Sequence, residues 1–392
     1  MSAGGWRDVW LLALVSLIAD ISGEMVLALL PILLVAQGAT GLGIGLVDGV
    51  TEGVGHLFKY IGAQVGARTK RQRLLIGSGY MVAALGRFGV AFAATWPATL
   101  AFRSLDRVGK GMRTAPRDAM LARLIESGQR ARAYGLHLAG DTMGGVLGVL
   151  LVLLFIPVLG LSTQTTVLVG SAIGLFAIVP LFWVRDRLPT NGGAEGADEP
   201  PSPHYGAFLA VSALFSLGRL SYMFYIVRVL QLYGEVRVGI LFYLLFIVTQ
   251  AASAVQWGRT ADRIGKSTIL AVGFLLFSIA PVVFILSTHV VGLAVGIVLL
   301  GLALACVEGT GRALAAGLSG SLGRIGRLGE YQAITGFATL LGGIAAGLLW
   351  DNAGISAAFA WGAAVPLVGL AGLVWLWPHI HTPRRPAAAR TA

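Results

Sequence analysis

The sequence is poor in charged residues and in cysteine, and each shortage excludes a class of protein. Only 12% of its 392 residues are Asp, Glu, Lys or Arg, whereas 56% are hydrophobic, and the mean hydropathy is +0.80. These values exclude an ordinary soluble domain and are typical of a polytopic membrane protein. The single cysteine, Cys306, excludes any intrachain disulfide. We therefore expect the fold to depend on helix packing within a bilayer.

The sequence also lacks the motifs of an enzyme or an ATP-driven pump. It contains no nucleophile triad, no glycine-rich phosphate loop and no nucleotide-binding motif. His56 and His137 have no partners at metal-ligand spacing. A cleavable signal peptide is not expected, because the first apolar run continues far beyond signal length. We therefore predict that the protein is not an enzyme and has no catalytic residues, no metal ligands and no cofactor.

Basic residues outnumber acidic ones, which gives a net charge of +11 and a pI near 10.3. Such a balance can indicate nucleic-acid binding, but here the basic residues gather between the apolar runs. Short basic segments in that position are typical of the cytoplasmic loops of a membrane protein. We therefore expect the lipid bilayer as a partner, and no nucleic acid.

Long apolar runs separated by turn residues are the most informative feature that is present. About twenty apolar residues cross a hydrocarbon core of roughly 30 Å, so each run of that length is a candidate span. The pattern predicts an all-α polytopic membrane protein with twelve spans at 8–36, 41–65, 73–95, 98–122, 134–156, 164–184, 207–231, 237–257, 268–288, 290–316, 330–350 and 355–377.

The basic residues fall on alternate loops, as the positive-inside rule requires. The loops after even-numbered spans, together with the tail, contain Arg68, Lys70, Arg71, Arg73, Arg123, Arg130, Arg132, Arg185, Arg187, Arg259, Arg263, Lys266, Arg324, Arg327, Arg384, Arg385 and Arg390. The opposite loops have almost no Lys or Arg apart from Arg228 and Arg237 near one turn. We expect both termini in the cytoplasm and the protein in the inner membrane of a prokaryote.

A polar segment divides the chain into two halves of similar size. Residues 185–205 are rich in Pro, Gly and acidic residues and lack apolar periodicity, which is typical of a flexible cytoplasmic linker. We predict one six-helix bundle at 1–184, the linker at 185–205, and a second six-helix bundle with a short basic tail at 206–392. A parallel repeat of this kind puts the binding site between the halves near the midplane.

The strongest concentration of charge within a predicted span lies between Arg103 and Asp118. Arg103, Arg107 and Lys110 fall within a narrow arc of one helical face, and Asp106 lies beside it. A charge at mid-bilayer costs roughly 2.5–3.5 kcal/mol, so these side chains must face protein or water. The pattern favours a polar helix that lines an aqueous cavity. The alternative is a polar helix end at the cytoplasmic surface.

The loop after span eight reads Gly258-Arg-Thr-Ala-Asp262-Arg263-Ile-Gly265-Lys266. In this loop the chain resembles the major facilitator superfamily, whose signature Gly-x-x-x-Asp-Arg-x-Gly-Arg/Lys occurs in the second-to-third and eighth-to-ninth loops. Gly at a helix end permits tight packing, and Asp can pair with a base on a neighbouring helix. The resemblance implies a fold of two six-helix bundles, and it implies a gating role for Gly258, Asp262, Arg263, Gly265 and Lys266.

The corresponding loop of the first half departs from that signature. It keeps the first glycine, Gly62, and the basic residues, but Gly66 stands where the family has Asp and Thr69 where it has Gly. A charge lock at this loop is therefore expected to be weaker than in the family, or to lie elsewhere.

Two further resemblances are partial. Arg103 matches the first position of the family's fourth-helix Arg-x-x-Gln-Gly pattern, but the Gln and Gly are replaced. Gly140, Gly144 and Gly148 resemble the fifth-helix glycine motif of proton-coupled exporters, although Gly145 stands where that motif has Pro. Ordinary close packing of helices would explain the same glycines. As a whole the chain resembles a poorly characterised bacterial and archaeal branch of the superfamily.

The resemblance implies that helices one, four, seven and ten surround a central cavity, and acidic residues lie on spans nearby. Span one carries Asp20 and Glu24, and span two carries Asp48 and Glu52, each pair spaced i, i+4 on one helical face. A carboxyl group placed between an apolar environment and a base can exchange a proton. We predict proton-coupling or cavity acids at Asp20, Glu24, Asp48, Glu52 and Asp106. The alternative is a static charge network that holds the first half together.

The predicted bases of the cavity lie on spans four and seven. In the helix arrangement that the resemblance implies, those on span four can meet the acids of span one. Acids and bases stabilise one another at low dielectric constant. The base on span seven suits an anionic group of a substrate. The predicted substrate or charge-network bases are Arg103, Arg107, Lys110 and Arg219. In span ten, Glu308 and Arg312 are spaced i, i+4 and can simply neutralise each other.

Together these features predict a secondary active transporter that moves a small solute by alternating access, is coupled to protons, and favours export. The expected partners are a small-molecule substrate, protons and the lipid bilayer, and the expected oligomeric state is a monomer. Within transport, uptake or exchange of an anionic metabolite and binding of a metal cation by the acids of spans one and two are alternatives. Outside transport, the alternatives are a lipid-modifying membrane enzyme, for which no catalytic constellation is visible, and a transporter-like receptor or membrane assembly protein.

Overall fold

The computed structural model of the protein describes residues 3–69, 71–124, 129–185, 200–320 and 324–380. These ranges contain α-helices, one short 3₁₀ helix at Pro180–Trp183 and no strand. The helices are α1 (Ala3–Ala36), α2 (Gly41–Arg68), α3 (Gln72–Phe92), α4 (Trp96–Leu124), α5 (Arg130–Phe155), α6 (Thr163–Phe176), α7 (Tyr205–Gly218), α8 (Tyr222–Tyr233), α9 (Val236–Ile264), α10 (Lys266–Leu286), α11 (Val290–Leu318), α12 (Arg324–Ala353) and α13 (Ile355–Ile380).

The helices follow the twelve predicted spans. Within the described ranges, ten helical segments are long and apolar enough to cross a membrane. The other two spans are α2 and α4, which have 28 and 29 residues and carry the intramembrane charges that the sequence singles out. The prediction of an all-α membrane protein with twelve spans is therefore confirmed.

The seventh span differs from the continuous helix that its apolar sequence predicts. α7 ends at Gly218 and α8 begins at Tyr222, and the backbone between them is extended at Arg219 and Ser221. The Ser221 hydroxyl caps α8 by accepting a hydrogen bond from the Met223 N–H at 3.3 Å. A Cβ atom at Gly218 would overlap the ring of Pro366, so glycine permits the close approach of α13 at this point.

The helices form two bundles, α1–α6 and α7–α13. In the first bundle, α5 packs against α1 through its glycines: a Cβ atom at Gly140 would lie 2.9 Å from the Ala13 carbonyl oxygen, and one at Gly144 would lie 2.5 Å from that of Leu17. Close packing within one bundle therefore accounts for the glycine motif of span five. In the second bundle, α7 packs against α10 through stacked rings of Phe215 and Phe274, whose centroids lie 3.9 Å apart.

The two ends of the molecule are each held together by hydrogen bonds between neighbouring segments. We call the end formed by the loops after α2, α4, α6, α9 and α11 the basic face, and the other end the opposite face. On the basic face, Tyr205 donates to the Arg327 carbonyl oxygen at 2.6 Å. On the opposite face, Tyr233 donates to the Thr288 carbonyl oxygen at 3.0 Å. In the first bundle, Arg73 at the start of α3 donates to the Val184 carbonyl oxygen at 3.4 Å, which brings the loop after α2 next to the segment after α6.

α2 and α12 join the two bundles. A Cβ atom at Gly45 would overlap the Gly343 carbonyl oxygen, so the two helices meet backbone to backbone. Near the opposite face, the Asp351 carboxylate accepts hydrogen bonds from the N–H groups of Gly41 at 2.6 Å and Leu42 at 2.9 Å. A carboxylate of the second bundle thus caps the first turn of α2 in the first bundle.

Several predicted features lie outside the described residues. They are linker residues 186–199, tail residues 381–392, the whole of Lys70, Arg187, Arg384, Arg385 and Arg390, and the side chains of Arg123, Arg130 and Arg324. The domain boundaries at residues 184 and 206 and the cytoplasmic location of the termini therefore stay predictions.

Candidate functional site

The basic side chains of helix α4 lie against acidic residues of α1 and α2. Lys110 Nζ is 3.6 Å from Asp20 Oδ1 on α1, which is the meeting of span four with span one that the sequence predicts. Arg107 Nη2 is 2.8 Å from Glu52 Oε1 on α2. Two of the five predicted acids are thus neutralised by two of the predicted bases, which offsets the cost of removing these charges from water.

Asp106 belongs to a buried ion cluster in the interior of the first bundle. Its Oδ1 accepts a hydrogen bond from Arg87 Nε at 3.0 Å, and its Oδ2 accepts one from Arg103 Nη1. Arg87 also donates to the Ser22 hydroxyl at 2.7 Å, which ties α1 to α3 and α4. Only 3% of Asp106 and 1% of Arg103 are exposed. This placement favours the charge-network interpretation for these two residues.

Arg87 is not among the site residues that the sequence predicts, although its position in the sequence carries a signal. It is the one charged residue of the apolar run 74–92. An arginine in that position requires a protein partner, by the same reasoning that was applied to span four. The sequence does not reveal that the partner is Asp106, because that contact joins α3 to a neighbouring helix.

Glu24 and Asp48 have no cation at ion-pair distance in the part of the chain that the structure describes. Glu24 Oε2 accepts a hydrogen bond from the Tyr243 hydroxyl of α9 at 2.6 Å, so this carboxyl lies where the two bundles meet. Asp48 lines a small cavity of about 40 Å³ together with Arg219 and Ser221. Of the five predicted acids, Asp20, Glu52 and Asp106 are therefore paired with bases, whereas Glu24 and Asp48 have no base at ion-pair distance among the described residues.

A larger cavity of about 210 Å³ lies between α2, α7, α10, α11 and α12, on the basic-face side of the mid-level. Its walls come from both bundles, as the predicted midplane site requires. The lining residues with charged or polar side chains are Glu52, His56, Lys59, Ser212, Ser216, Arg219, Glu308, Arg312, Tyr331, Gln332, Thr335 and Thr339. We call this space the central cavity.

Arg219 lies in the central cavity as predicted, but its partner was not foreseen. Arg219 Nη2 is 4.0 Å from Glu308 Oε1, and the Gln250 side chain donates to the other Glu308 oxygen at 3.4 Å. Arg312 does not neutralise the Glu308 carboxylate; its Nε donates to the Glu308 backbone carbonyl at 2.9 Å. The i, i+4 pairing that the sequence allows is thus replaced by a contact between α11 and the broken seventh span.

The second part of α4, beyond Lys110, also carries basic residues that are buried in the first bundle. The Arg113 guanidinium lies 3.8 Å above the ring centroid of Tyr80. Arg117 donates to the Ser16 hydroxyl at 2.9 Å and lies 3.1 Å from Asp118. The charged stretch is therefore a charge network at Arg103–Lys110 that continues into a second group of buried basic residues.

The predicted gating motif forms the sharp connection between α9 and α10. Gly265 has φ +103°, a conformation that favours glycine. Lys266 Nζ donates to the Ala313 carbonyl oxygen near the end of α11 at 3.5 Å, where a cation is favoured by the helix dipole. Asp262 and Arg263 are exposed, and Asp262 forms no ion pair within the described residues.

The packing role expected of the first motif glycine is seen in the first half and not in the second. A Cβ atom at Gly258 would meet open space, with no atom within 4 Å. In the corresponding loop, a Cβ at Gly62 would lie 2.7 Å from the Met112 carbonyl oxygen, and one at Gly66 would lie 2.7 Å from Pro116. The departure of Gly66 from the family signature therefore has a steric reason, since Asp would not fit beside Pro116.

A metal cation, one of the alternative substrates, would need a set of ligating side chains close together. Within the described residues, no group of three or more His, Cys, Asp or Glu side chains is placed to hold a metal ion. His137 lies beside Ser16 at 3.4 Å and Asp141 at 3.8 Å, which is a polar contact between α1 and α5.

Comparison with known proteins identifies relatives of this architecture. The family model described as Major Facilitator Superfamily matches residues 12–236 and 208–392. An uncharacterized MFS-type transporter of Methanocaldococcus jannaschii is 29% identical over 354 residues, which cover 88% of each chain. An uncharacterized protein of Mycobacterium tuberculosis is 28% identical over 364 residues, covering 88% of this chain and 87% of that one.

Solved structures share the fold at lower sequence identity. The nucleoside transporter NupG superimposes with a TM-score of 0.78 at 13% identity, covering 94% of this chain and 99% of that one. A POT family transporter in complex with 5-aminolevulinic acid gives 0.77 at 13% identity, covering 96% and 97%. The human organic anion transporter MFSD10 gives 0.66 at 18% identity, covering 94% and 99%. These likenesses establish a fold of two six-helix bundles.

Proposed function

The chain belongs to the major facilitator superfamily, and from this premise we propose that it is a proton-coupled secondary transporter of a small solute, working by alternating access. The observation that carries the proton coupling is Glu24. This carboxyl lies on α1 of the first bundle and accepts a hydrogen bond from Tyr243 on α9 of the second. It therefore occupies the boundary whose opening and closing defines the transport cycle.

Glu24 is the preferred proton carrier because no base lies at ion-pair distance from its carboxyl group among the described residues. A charged carboxylate removed from water is expensive unless a cation or several donors stabilise it, whereas a protonated carboxyl has no such requirement. Asp20 and Glu52 are held as carboxylates by Lys110 and Arg107. Asp48, with no cation at ion-pair distance in the described part of the chain, is the second candidate. We assign Asp20, Glu52 and Asp106 to the charge network.

The experiment uses purified protein in vesicles under an imposed pH gradient, with solute flux and internal pH recorded together across several solute classes. Glu24→Gln should lose proton-driven accumulation and keep solute exchange, because a neutral amide cannot carry a proton through the cycle. Asp118→Asn is the matched control, since the Asp118 carboxylate is 43% exposed and lies at the far end of α4. It should behave as the unchanged protein at equal abundance.

The same measurements of solute flux and internal pH can also contradict the proposal. Normal proton stoichiometry in both Glu24→Gln and Asp48→Asn would remove these residues as carriers. Solute flux without any proton movement would show that the protein works by facilitated exchange and not by proton coupling. Absence of flux for every solute class would favour a receptor or assembly protein with a transporter fold. The sign of flux under the gradient gives the direction, which we propose to be export.

We also propose that the basic face is cytoplasmic, because it gathers the basic residues of the alternate loops. In a Cys306→Ser background, Ser202→Cys on the basic face should react with a membrane-impermeant maleimide only from the cytoplasmic side. Asn352→Cys near the opposite face should react from the outside. Reversed labelling would overturn this orientation.

A further inference from the structure

The central cavity contains basic groups that its carboxylates do not neutralise. Glu52 is engaged by Arg107 at 2.8 Å, and Glu308 is nearest to Arg219 at 4.0 Å. Lys59 and Arg312 line the same cavity and have no carboxylate at ion-pair distance among the described residues. Two positive charges are therefore left over in a site with walls from both bundles.

These two residues come from opposite halves of the molecule. Lys59 lies on α2 of the first bundle, and Arg312 lies on α11 of the second. The Arg312 Nε donates a hydrogen bond to the Glu308 backbone carbonyl oxygen at 2.9 Å. This bond fixes the side chain and leaves the two terminal nitrogens for a ligand. The hydroxyl of Ser216 and the amide of Gln332 are further polar groups of the lining.

We propose that Lys59 and Arg312 bind an oxyanion, the carboxylate or phosphate group of a small solute, in the central cavity. This inference rests on the proposed transport function and names the substrate class of that site. The planar guanidinium matches the geometry of a carboxylate or phosphate, and the ammonium supplies a compact second charge. A cavity of about 210 Å³ restricts the solute to a small metabolite. A cationic solute would meet both charges unfavourably.

An anion at this position also couples binding to the movement of the bundles. Without it, the like charges of Lys59 and Arg312 repel each other across the cavity, which opposes closure of the bundles around it. An anion between them converts that repulsion into two attractions. Because the ligand interacts more favourably with the closed arrangement than with the open one, its binding shifts the population toward closure. The bases on span four do not serve this role, since they are paired with acids.

The test measures binding without transport. Purified protein in detergent is titrated with inorganic phosphate, sulfate, glycerol 3-phosphate, acetate and succinate, with uridine as neutral probe and tetraethylammonium as cationic probe. Thermal stabilisation and equilibrium dialysis give the affinities. At least one anion should bind, and Lys59→Gln and Arg312→Gln should each weaken its binding about tenfold to hundredfold, the range for loss of a charged hydrogen-bond partner. Arg312→Lys should recover part of the affinity.

A second measurement separates ligand binding from folding. Because Lys59 and Arg312 repel each other, the unliganded Gln variants should melt at or above the temperature of the unchanged protein while losing stabilisation by the anion. Arg237→Gln is the matched control, because Arg237 is an exposed base near the opposite face, outside the cavity. It should keep full anion affinity.

The inference fails if no anion binds, if uridine or tetraethylammonium binds instead, or if both Gln variants keep the affinity of the unchanged protein. These outcomes differ from failure of the transport proposal. Proton-driven flux of a neutral or cationic solute with no anion binding would overturn only the oxyanion site. Anion binding of the expected pattern with no flux in vesicles would overturn only transport.

Discussion

The cores of the two bundles are built from different kinds of side chain. In the first bundle, the buried residues of the core include Arg87, Arg103 and Asp106, which join three helices through ion pairs. In the second, the core is aromatic: Phe215 stacks on Phe274 and meets Phe277 edge to face at 5.4 Å. Within the described part of the second bundle, no charged side chain is buried.

This difference shows how a repeated architecture can divide its tasks. The stability of an aromatic core depends on buried apolar area and on ring geometry, and it does not depend on protonation. A core of paired charges depends on every partner keeping its charge. The first bundle accordingly holds the five predicted acids, of which Glu52 lines the central cavity, and the second bundle contributes Arg219, Glu308 and Arg312 to the wall of that cavity. We infer that steps sensitive to charge are concentrated in the first half.

The largest effect is expected from removing the shared carboxylate of the first core. Asp106→Asn leaves Arg87 and Arg103 buried without a counter-charge, which should reduce the free energy of unfolding by about 3–5 kcal/mol. Glu308→Gln is the counterpart in the second bundle, where the carboxylate is 45% exposed and 4.0 Å from its base; its cost should be about 0–1 kcal/mol. Thermal unfolding in detergent measures both. Equal costs would show that the two halves do not differ in this way.

The charged side chains of the membrane helices show what can be predicted from the sequence and what cannot. The apolar runs and helical spacing predict that Lys110 and Arg107 face inward, and the resemblance to the family implies that acids of span one lie near them. They do not reveal that Arg107 selects Glu52 on α2, because the partner of a side chain depends on how helices are rotated against each other. Glu24 and Tyr243 are 219 residues apart in sequence, so no local pattern links them.

A smaller effect is expected at the contact between the bundles. Gly45→Ala places a methyl group against the Gly343 carbonyl, so α2 and α12 must separate, at a cost of about 1–3 kcal/mol. Gly53→Ala on the same helix is the matched control, because no atom lies within 4 Å of its added Cβ. That control should be neutral or stabilising by up to about 1 kcal/mol. The thermal midpoints of the two variants should therefore move in different directions.

The Gly45 prediction also tests whether the bundles act as units. If Gly45→Ala weakens only the contact between them, the Asp351 cap on α2 should loosen while each bundle stays folded. Faster labelling of Asn352→Cys with unchanged helix content would fit that result. Loss of helix content would mean that the contact is needed for folding of the bundles themselves.

The smallest effect on stability is expected at the gating motif. Asp262 is exposed and lacks an ion-pair partner among the described residues, so Asp262→Asn should change the free energy of unfolding by no more than about 0.5 kcal/mol. The transport rate should nevertheless fall with substrate binding unchanged, because the motif lies at the basic face and away from the central cavity. Thr268→Ala, which removes a hydroxyl from the first turn of α10, is the control. Unchanged transport in Asp262→Asn would remove the gating role.

The broken seventh span marks another limit of the sequence. Residues 205–233 are apolar enough to predict one helix, and the intrinsic preferences of Gly218 to Ser221 do not demand a break. The break is stabilised by contacts with distant residues, including the approach of Pro366 to Gly218. It places Arg219 beside Glu308, a pairing that the i, i+4 spacing of Glu308 and Arg312 had obscured.

The amino-acid sequence by itself determines the twelve spans, their alternating charged loops and the presence of acids and bases inside them. These are local properties, because each span needs only enough apolar residues to cross the bilayer. The tertiary structure decides which charges neutralise each other and which are left over. That choice depends on helix rotation and on glycine contacts between distant segments, and it separates paired Asp20 and Glu52 from Glu24, Asp48, Lys59 and Arg312.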